Sequence, residues 1–514
     1  MKKKITFLIG LLCFNLSIAQ TKEDAFRLSS APLTGTARFT AMGGAFGALG
    51  GDFSALTINP AGAAVFSFTE AGLTADFQSL NNNSTYNGNP FESQQSNLNF
   101  SQAAGVIVLD NEIDNGWSKI SFGINFQKTH DFDNQVISEG YNSSRGVDRY
   151  FLSYANGKYL GDISLLENET FREAYIDIGE RIGLGYPGQQ ALFGYEGYVL
   201  NPIPFSGSTD TSDPDIQDYE SNTSPGSNGY FHELINTTQG GIKKYTVNIA
   251  SVYKNKLYLG LNINTYRLAF SQNRDFYESN YGPNSGVRSI NFNNELNTTG
   301  SGTSFQVGMI YKATEKIRLG LSLDSPTYYR LNDRIRQSMT VQLNNDARSL
   351  VELDPALETL FPEYEIQTTG SVRGSFAYVF SDKGLISLDY TMKDYSKMKF
   401  LPVKDAFFQS LNSSINDNYS PTRILQVGSE FRLTTLMSLR AGFYQENSSQ
   451  QNDSYSQTAV TAGVGFNFGA SNLDISLVSA NQNSASPLFD RGLNDSVLND
   501  LNQLGLQFTY RVKL

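Results

Sequence analysis

The sequence predicts an all-β fold, a transmembrane antiparallel β-barrel of about fourteen strands with an N-terminal plug, or hatch, in its lumen. The first observation behind this is period-two alternation. Ile120, Phe122, Ile124 and Phe126 alternate with Ser121, Gly123, Asn125 and Gln127, and Leu257, Leu259, Leu261 and Ile263 with Tyr258, Gly260, Asn262 and Asn264. The second is spacing. Strand pairs are joined by short polar turns such as Lys254–Lys256 and Lys312–Lys316, while the long connections fall between pairs. All long loops then lie on one side and both chain ends on the other, as in a bacterial outer-membrane barrel. A soluble sandwich has no reason for that asymmetry, nor for a face of Arg, Gln, Glu and Asn. The third is hydropathy: the mean is −0.32 and no run after the first twenty residues approaches 18 apolar positions, which excludes membrane helices but not a barrel.

Taken in order, residues 1–19 read as a secretory signal. Lys2, Lys3 and Lys4 form the basic region, Ile5–Leu16 the apolar core, and Ser17-Ile18-Ala19 the small-x-small cleavage site. Cys13, the one cysteine of the chain, leaves with it, so disulfides, thiolate metal sites and a cysteine nucleophile are excluded together. The formal charge of −11 falls to −14 once the three leader lysines are gone, which argues against nucleic acid as a partner.

Residues 20–66 read as the hatch and 67–514 as the barrel. Met42–Ala61 is glycine-dense, nearly uncharged apart from Asp52, and closes on Asn59-Pro60-Ala61. Glycine permits close backbone approach, and Pro60 ends a helix and holds Asn59 extended. This piece is packed by the rest of the chain. A first strand is expected near 66–79, six hairpins follow, and the last strand is 503–514, where Leu504, Leu506, Phe508, Tyr510 and Val512 alternate with Gln507, Thr509 and Arg511. The strands are about 9–11 residues long, the length that crosses a bilayer when tilted. The largest loop expected is 129–243.

The run Gly43, Gly44, then Asp52-x-Ser54-Ala55-Leu56-x-x-Asn59-Pro60-Ala61, followed by Ala71-Gly72-Leu73, resembles the N-terminal hatch and first strand of the FadL/TodX (OmpP1) family of outer-membrane transporters. Weaker similarity recurs in Arg318-Leu319-Gly320-Leu321-x-x-x-Ser325-Pro326 and in Leu439-Arg440-Ala441-Gly442-Phe443. The resemblance implies uptake of hydrophobic small molecules, long-chain fatty acids or aromatic hydrocarbons, across the Gram-negative outer membrane, and with no proton or ATP motif in the sequence that uptake is expected to be passive. It also implies capture of ligand among outer loops, a hatch that shifts on binding, and a gap in the wall for sideways exit. Asn59 would then bond lumen polar groups and Pro60 set the turn into the first strand. The same architecture used as a docking platform for a secretion or surface-attachment machine is the alternative.

Within the loops, Ser164 and Glu167 are expected to form a capping box before a helix whose apolar stripe is Phe171, Ala174, Tyr175, Ile178 and Ile182. Asp354-Pro355 is expected to start a second helix toward Leu360 and Phe361. Ala406, Phe407, Leu411 and Ile415 suggest a third, and Ser206–Asn228 has no periodicity. Candidate ligand-binding residues are Phe171, Tyr175, Ile178, Leu360 and Phe361. The bland reading is that they only pack on neighbouring loops.

Signals of catalysis are nearly absent. His130 and His232 are the two histidines, and no nucleophile elbow, zinc motif or dinucleotide loop is found. The acidic run Asp210, Asp213, Asp215, Asp218, Glu220 has oxygen ligands suited to calcium, but a solvated loop explains it more simply. The chain is therefore expected to be no enzyme, to need no cofactor or metal, and to act as a monomer among outer-membrane lipids.

Overall fold

The computed structural model describes residues 20–30, 32–110, 116–344, 349–380, 383–449 and 455–514; the expected signal, with Cys13, lies outside the described residues. Fourteen antiparallel strands close into a barrel. They are β1 Glu70–Tyr86, β2 Asn89–Asp110, β3 Trp117–Asp131, β4 Tyr230–Tyr253, β5 Leu257–Ser279, β6 Val287–Lys312 and β7 Ile317–Asp324. The circuit continues with β8 Ser371–Val379, β9 Gly384–Asp394, β10 Pro421–Arg432, β11 Met437–Glu446, β12 Ser456–Asn467, β13 Ser471–Pro487 and β14 Ser496–Lys513. Each pairs with the next, and β1 pairs with β14 from Glu70↔Lys513 to Tyr86↔Val497, so the sheet has no free edge.

The alternation read from the sequence sorts the two faces. Ile120, Phe122 and Ile124, Leu259, Leu261 and Ile263, and Leu504, Phe508 and Tyr510 are exposed on the outer wall. Their neighbours Ser121, Asn125, Asn262, Asn264, Gln507 and Thr509 are buried in the lumen. Phe68, Trp117, Tyr311, Phe380, Phe431 and Phe468 are exposed at the strand ends nearest the short turns, an aromatic girdle at the inner interface.

Several strands run far beyond the bilayer: β5 has 23 residues and β6 has 26, against the roughly 9–11 needed to cross. Stretches expected as long loops are thus largely strand. Residues 80–97 hold the ends of β1 and β2 with the turn Asn87-Gly88, both at positive φ. The stretch 129–243 carries the end of β3, a further strand Asn134–Asn142 and the start of β4.

Over the extracellular mouth sits a cap of helices: α4 Asp148–Ala155, α5 Phe171–Glu180 and α6 Gly185–Glu196 (α1–α3 belong to the plug, described below). Phe151, Phe193 and Phe292 of β6 are buried at its centre, with Phe193 and Phe292 ring centroids 5.5 Å apart. The capping box of α5 is Thr170 with Glu173, not Ser164 with Glu167; the Ser164 hydroxyl instead donates to the Leu160 carbonyl. No helix forms at Asp354. The Asp354 carboxylate accepts from the Ala356 amide in a turn that puts Ala356 at φ 50°, and Thr359–Leu360 is strand. An aspartate side chain that closes a turn on its own backbone competes with helix initiation, and here it wins. The third expected helix is present as Ala406–Asn418, capped by Asp405.

Candidate functional site

The plug threads the lumen in short pieces: α1 Lys22–Ser29, α2 Ala37–Ala41, α3 Ala55–Ile58 and a 3-10 turn Pro60–Val65. Between α2 and α3 the chain turns at Gly43-Gly44 (φ 60° and 79°) and Gly50-Gly51 (φ 60° and 65°), conformations that side chains on L-residues resist. Met42, Ala45, Phe46 and Ala48 are fully buried. Pro60 opens the 3-10 turn rather than the first strand, and Asn59 is extended at φ −145° and ψ 106°.

Backbone meets backbone where plug and wall touch. A Cβ on wall residue Gly260 would strike Pro60; on Gly308, the Asn59 side chain; on Gly320, the Gly47 carbonyl; on Gly428, Met42; and on Gly442, the Gly43 amide. These glycines sit on five strands, β5, β6, β7, β10 and β11, and face inward at the level of the plug. An isolated glycine inside a strand marks such a close approach.

Hydrogen bonds fix the seating. The Asn59 amide donates to the Gly47 carbonyl (2.6 Å) and to the Met309 carbonyl of β6 (3.1 Å), while its oxygen accepts from the Ala61 amide (3.1 Å). The Asp52 carboxylate accepts from the Thr36 hydroxyl (2.7 Å) and the Ser54 amide (2.9 Å). Ser54 accepts from the Thr36 amide (2.7 Å) and donates to Gln102 on β2 (2.9 Å). The Gly47 amide donates to Asp389 on β9 (2.8 Å), and Gln426 on β10 donates to the Gly43 carbonyl (3.1 Å).

An ion chain not singled out from the sequence ties plug to wall. Arg38 donates to both oxygens of Glu430 (2.9 and 3.1 Å); Arg440 joins Glu430 (2.6 Å) to Asp474 (2.7 Å), and Arg511 continues from Asp474 (3.3 Å) to Glu70 (3.8 Å). Its signal in the sequence is charge at lumen-facing strand positions, which needs a partner when buried.

A lumen cavity of about 210 Å³ lies between plug residues, among them Leu28, Ser30, Leu33 and Ile58, and the wall, and is lined by both polar and apolar groups. Toward the mouth it borders an apolar cluster of Leu268, Phe270, Tyr329 and Tyr364 on which Ala25 and Leu28 of α1 pack. Phe26 stands among Tyr395, Tyr419 and Tyr455, with centroids 4.8–5.2 Å away.

The candidate ligand residues fall in the cap rather than in this cavity. Tyr175 and Ile178 are buried in the cap core, Phe171 packs half-buried against it, Phe361 is buried and Leu360 is 67% exposed. The two stretches do meet: Arg172 donates to the carbonyls of Pro355 and Ala356 (3.1 and 2.7 Å). His130 lies against the Ser30 carbonyl (2.8 Å), and His232 is buried between Tyr86 and Glu278, 2.8 Å from each. The acidic run 210–220 is mostly exposed, and among the described residues no cluster of three or more metal-ligating side chains forms.

Comparison with known proteins places this geometry. A Pseudomonas aeruginosa FadL homologue aligns with a TM-score of 0.54 at 11% identity, over 94% of this chain and 99% of that one. The Pseudomonas putida toluene transporter TodX aligns with a TM-score of 0.51 at 12% identity, over 93% and 98%. At such identities the likeness speaks for the fold. No curated protein sequence matches the chain. The family model described as outer membrane protein transport protein (OMPP1/FadL/TodX) matches residues 216–486, more than half of the sequence, and the chain belongs to that outer-membrane family.

Proposed function

We propose that this protein carries hydrophobic small molecules, long-chain fatty acids or aromatic hydrocarbons, passively across the outer membrane, with residues 20–66 as its hatch. The observation that carries the reading is what α1 occupies. Ala25, Phe26 and Leu28 cover an apolar lumen surface directly above a hydrogen-bonded plug. A ligand that takes over this surface replaces α1 with no net loss of apolar burial, so the exchange is nearly balanced in free energy. Lifting α1 breaks few bonds to the wall, whereas the Gly43–Ala61 segment is locked by wall glycines and by Asn59. The hatch therefore has a movable outer part and a fixed inner part.

Capture falls to the outer loops, where Phe171 is half-buried and Leu360 exposed while Tyr175, Ile178 and Phe361 are buried. That the solved structure of similar fold is a toluene transporter supports the same class of cargo. Mass spectrometry of small molecules extracted from the purified protein tests the reading. An acyl or aromatic compound present in stoichiometric amount supports it, and extracts free of such compounds, together with no binding of added fatty acid or toluene, overturn it.

A further inference from the structure

One row of residues runs level across four strands on the outer wall: Leu323 of β7 pairs with Val372 of β8, Val372 with Met392 of β9, and Met392 with Arg423 of β10. Directly paired residues share a face of the sheet, and all four are exposed. Two residues nearer the membrane centre, the same strands carry Leu321, Gly374, Tyr390 and Leu425. A Cβ on Gly374 would meet nothing within 4 Å, so this position is a notch between exposed Leu321 and Tyr390. Beyond it lies a hollow of about 590 Å³ lined by Leu323, Val372 and Met392, with Arg423 and Lys397 beside them.

The hollow stands at the outer edge of the apolar band. Met392 is eight residues along β9 from Gly384, which pairs with Phe431 of the inner girdle. At about 3.3 Å per residue and a tilt of about 40°, that is roughly 20 Å higher, near the top of a band about 25 Å tall. Just above, β8 and β9 stop pairing at Ser371↔Lys393 and the chain pairs again only at Gln367↔Lys399. Unpaired backbone is not tolerated against hydrocarbon, so this level meets polar head groups. The acids here are turned to their own neighbours. Asp324 accepts from the Ser371 hydroxyl (2.6 Å), and Asp394 from the amide and hydroxyl of Ser396 (3.1 and 2.6 Å) in the 3-10 turn Tyr395–Lys397. Lys393 donates inward to the Ser29 carbonyl (3.3 Å). Lys397 and Arg423 are exposed, and among the described residues no carboxylate lies within ion-pair distance of either. Exposed arginines of the strand that follows β7, Tyr328–Leu343, differ: Arg330, Arg334 and Arg336 pair with Glu365, Glu358 and Asp354 at 2.9, 3.6 and 3.3 Å.

We propose that this patch of the outer wall is a binding site for a phosphorylated glycolipid of the outer leaflet, which stays on the outside as part of the wall. One acyl chain lies over Leu323, Val372, Met392 and the Gly374 notch, and a head-group phosphate bridges Arg423 and Lys397. The guanidinium fork matches two phosphate oxygens, and the ammonium adds a point charge beside it. The height of the row selects the leaflet: a phospholipid of the inner leaflet has its head group at the opposite girdle.

The test places the purified protein in phosphatidylethanolamine nanodiscs doped with bisphosphoryl lipid A, with the same acylated disaccharide lacking phosphate, or with phosphatidylglycerol. Retained lipid is counted by native mass spectrometry, and heat-modifiable gel migration reports the folding of each variant. Wild type should retain the phosphorylated glycolipid at least tenfold more than either other lipid. Lys397→Gln with Arg423→Gln should bring all three within twofold. Gly374→Leu, which fills the notch, should cut retention of the phosphorylated form at least fivefold. Arg330→Gln, whose guanidinium already has Glu365, should keep the wild-type preference. A wild-type preference below twofold, one intact in the double variant, or an equal loss in Arg330→Gln overturns the site. Retention unchanged in Gly374→Leu overturns the acyl seat, and phosphatidylglycerol held as well as lipid A overturns the glycolipid.

Discussion

The carboxamide of Asn59, in the plug, occupies the space that a side chain on Gly308, in strand β6, would need. The same amide donates to the carbonyl of Met309, the next residue along that strand. Plug and wall are thus complementary at the level of single atoms, and a substitution on the barrel reports on the plug without touching it. Gly308→Ala should displace Asn59 at a cost of about 1–3 kcal/mol, the usual range for overpacking. Reconstituted vesicles should then leak a small polar dye that wild type retains. An unchanged dye barrier in a correctly folded Gly308→Ala barrel contradicts this seating.

Arg38 and Glu430 join the plug to β10 through two short hydrogen bonds, with side chains only 17% and 13% exposed. In a double-mutant cycle with Arg38→Gln and Glu430→Gln, urea unfolding in detergent should give a coupling of about 1–3 kcal/mol, as for hydrogen bonds between charged groups. Glu430→Gln should cost more than Arg38→Gln, because it also leaves Arg440 short of a partner while Glu430 without Arg38 keeps Arg440. Coupling near zero would mean the plug is held by shape alone.

The cap offers a pH test. Burial pushes the Asp148 carboxyl above its ordinary value, and the Glu278 carboxylate adds to the shift. Arg149 lies 3.7 Å from it, and His232 pairs with Glu278. An acid raised in the folded state gives stability that is complete below its unfolded value, about 3.9, and is lost as pH rises through the higher folded value. Amide exchange in α4, corrected for intrinsic rate, should therefore slow as pH falls from neutral toward the unfolded carboxyl value of about 4. Asp148→Asn should show the slow rate at both. Faster α4 exchange on acidification, or an Asn variant that still follows pH, would contradict the assignment.

How much of this was legible in the sequence follows from where each pattern meets a boundary between oil and water. Inside the bilayer one face of a strand touches lipid, so Leu259, Leu261 and Ile263 alternate visibly with Asn262 and Asn264. Beyond it both faces are wet, and stretches such as Asn81-Asn82-Asn83 carry no apolar period although β1 runs straight through them. The one available signal there was Asn87-Gly88, a dipeptide whose positive φ values suit a two-residue hairpin. The segment Met42–Ala61 stood out by its glycine-rich composition, but its docking against the wall did not. Gly260, Gly308, Gly320 and Gly428 lie on different strands, and only the closed barrel gathers them at one level. Asp354 read as a helix cap because an N-cap and a turn use the same carboxylate-to-amide bond, and the next residues decide between them.

The most direct test is uptake by a Gram-negative host lacking any transporter of this family. Cells expressing the protein should take up a radiolabelled long-chain fatty acid or toluene at least tenfold faster than control cells, with entry of a small polar dye unchanged. Deleting Gly43–Gly51 together with Asn59→Asp should admit the dye. Equal uptake with and without the protein, or dye entry already through the wild-type barrel, would contradict the account.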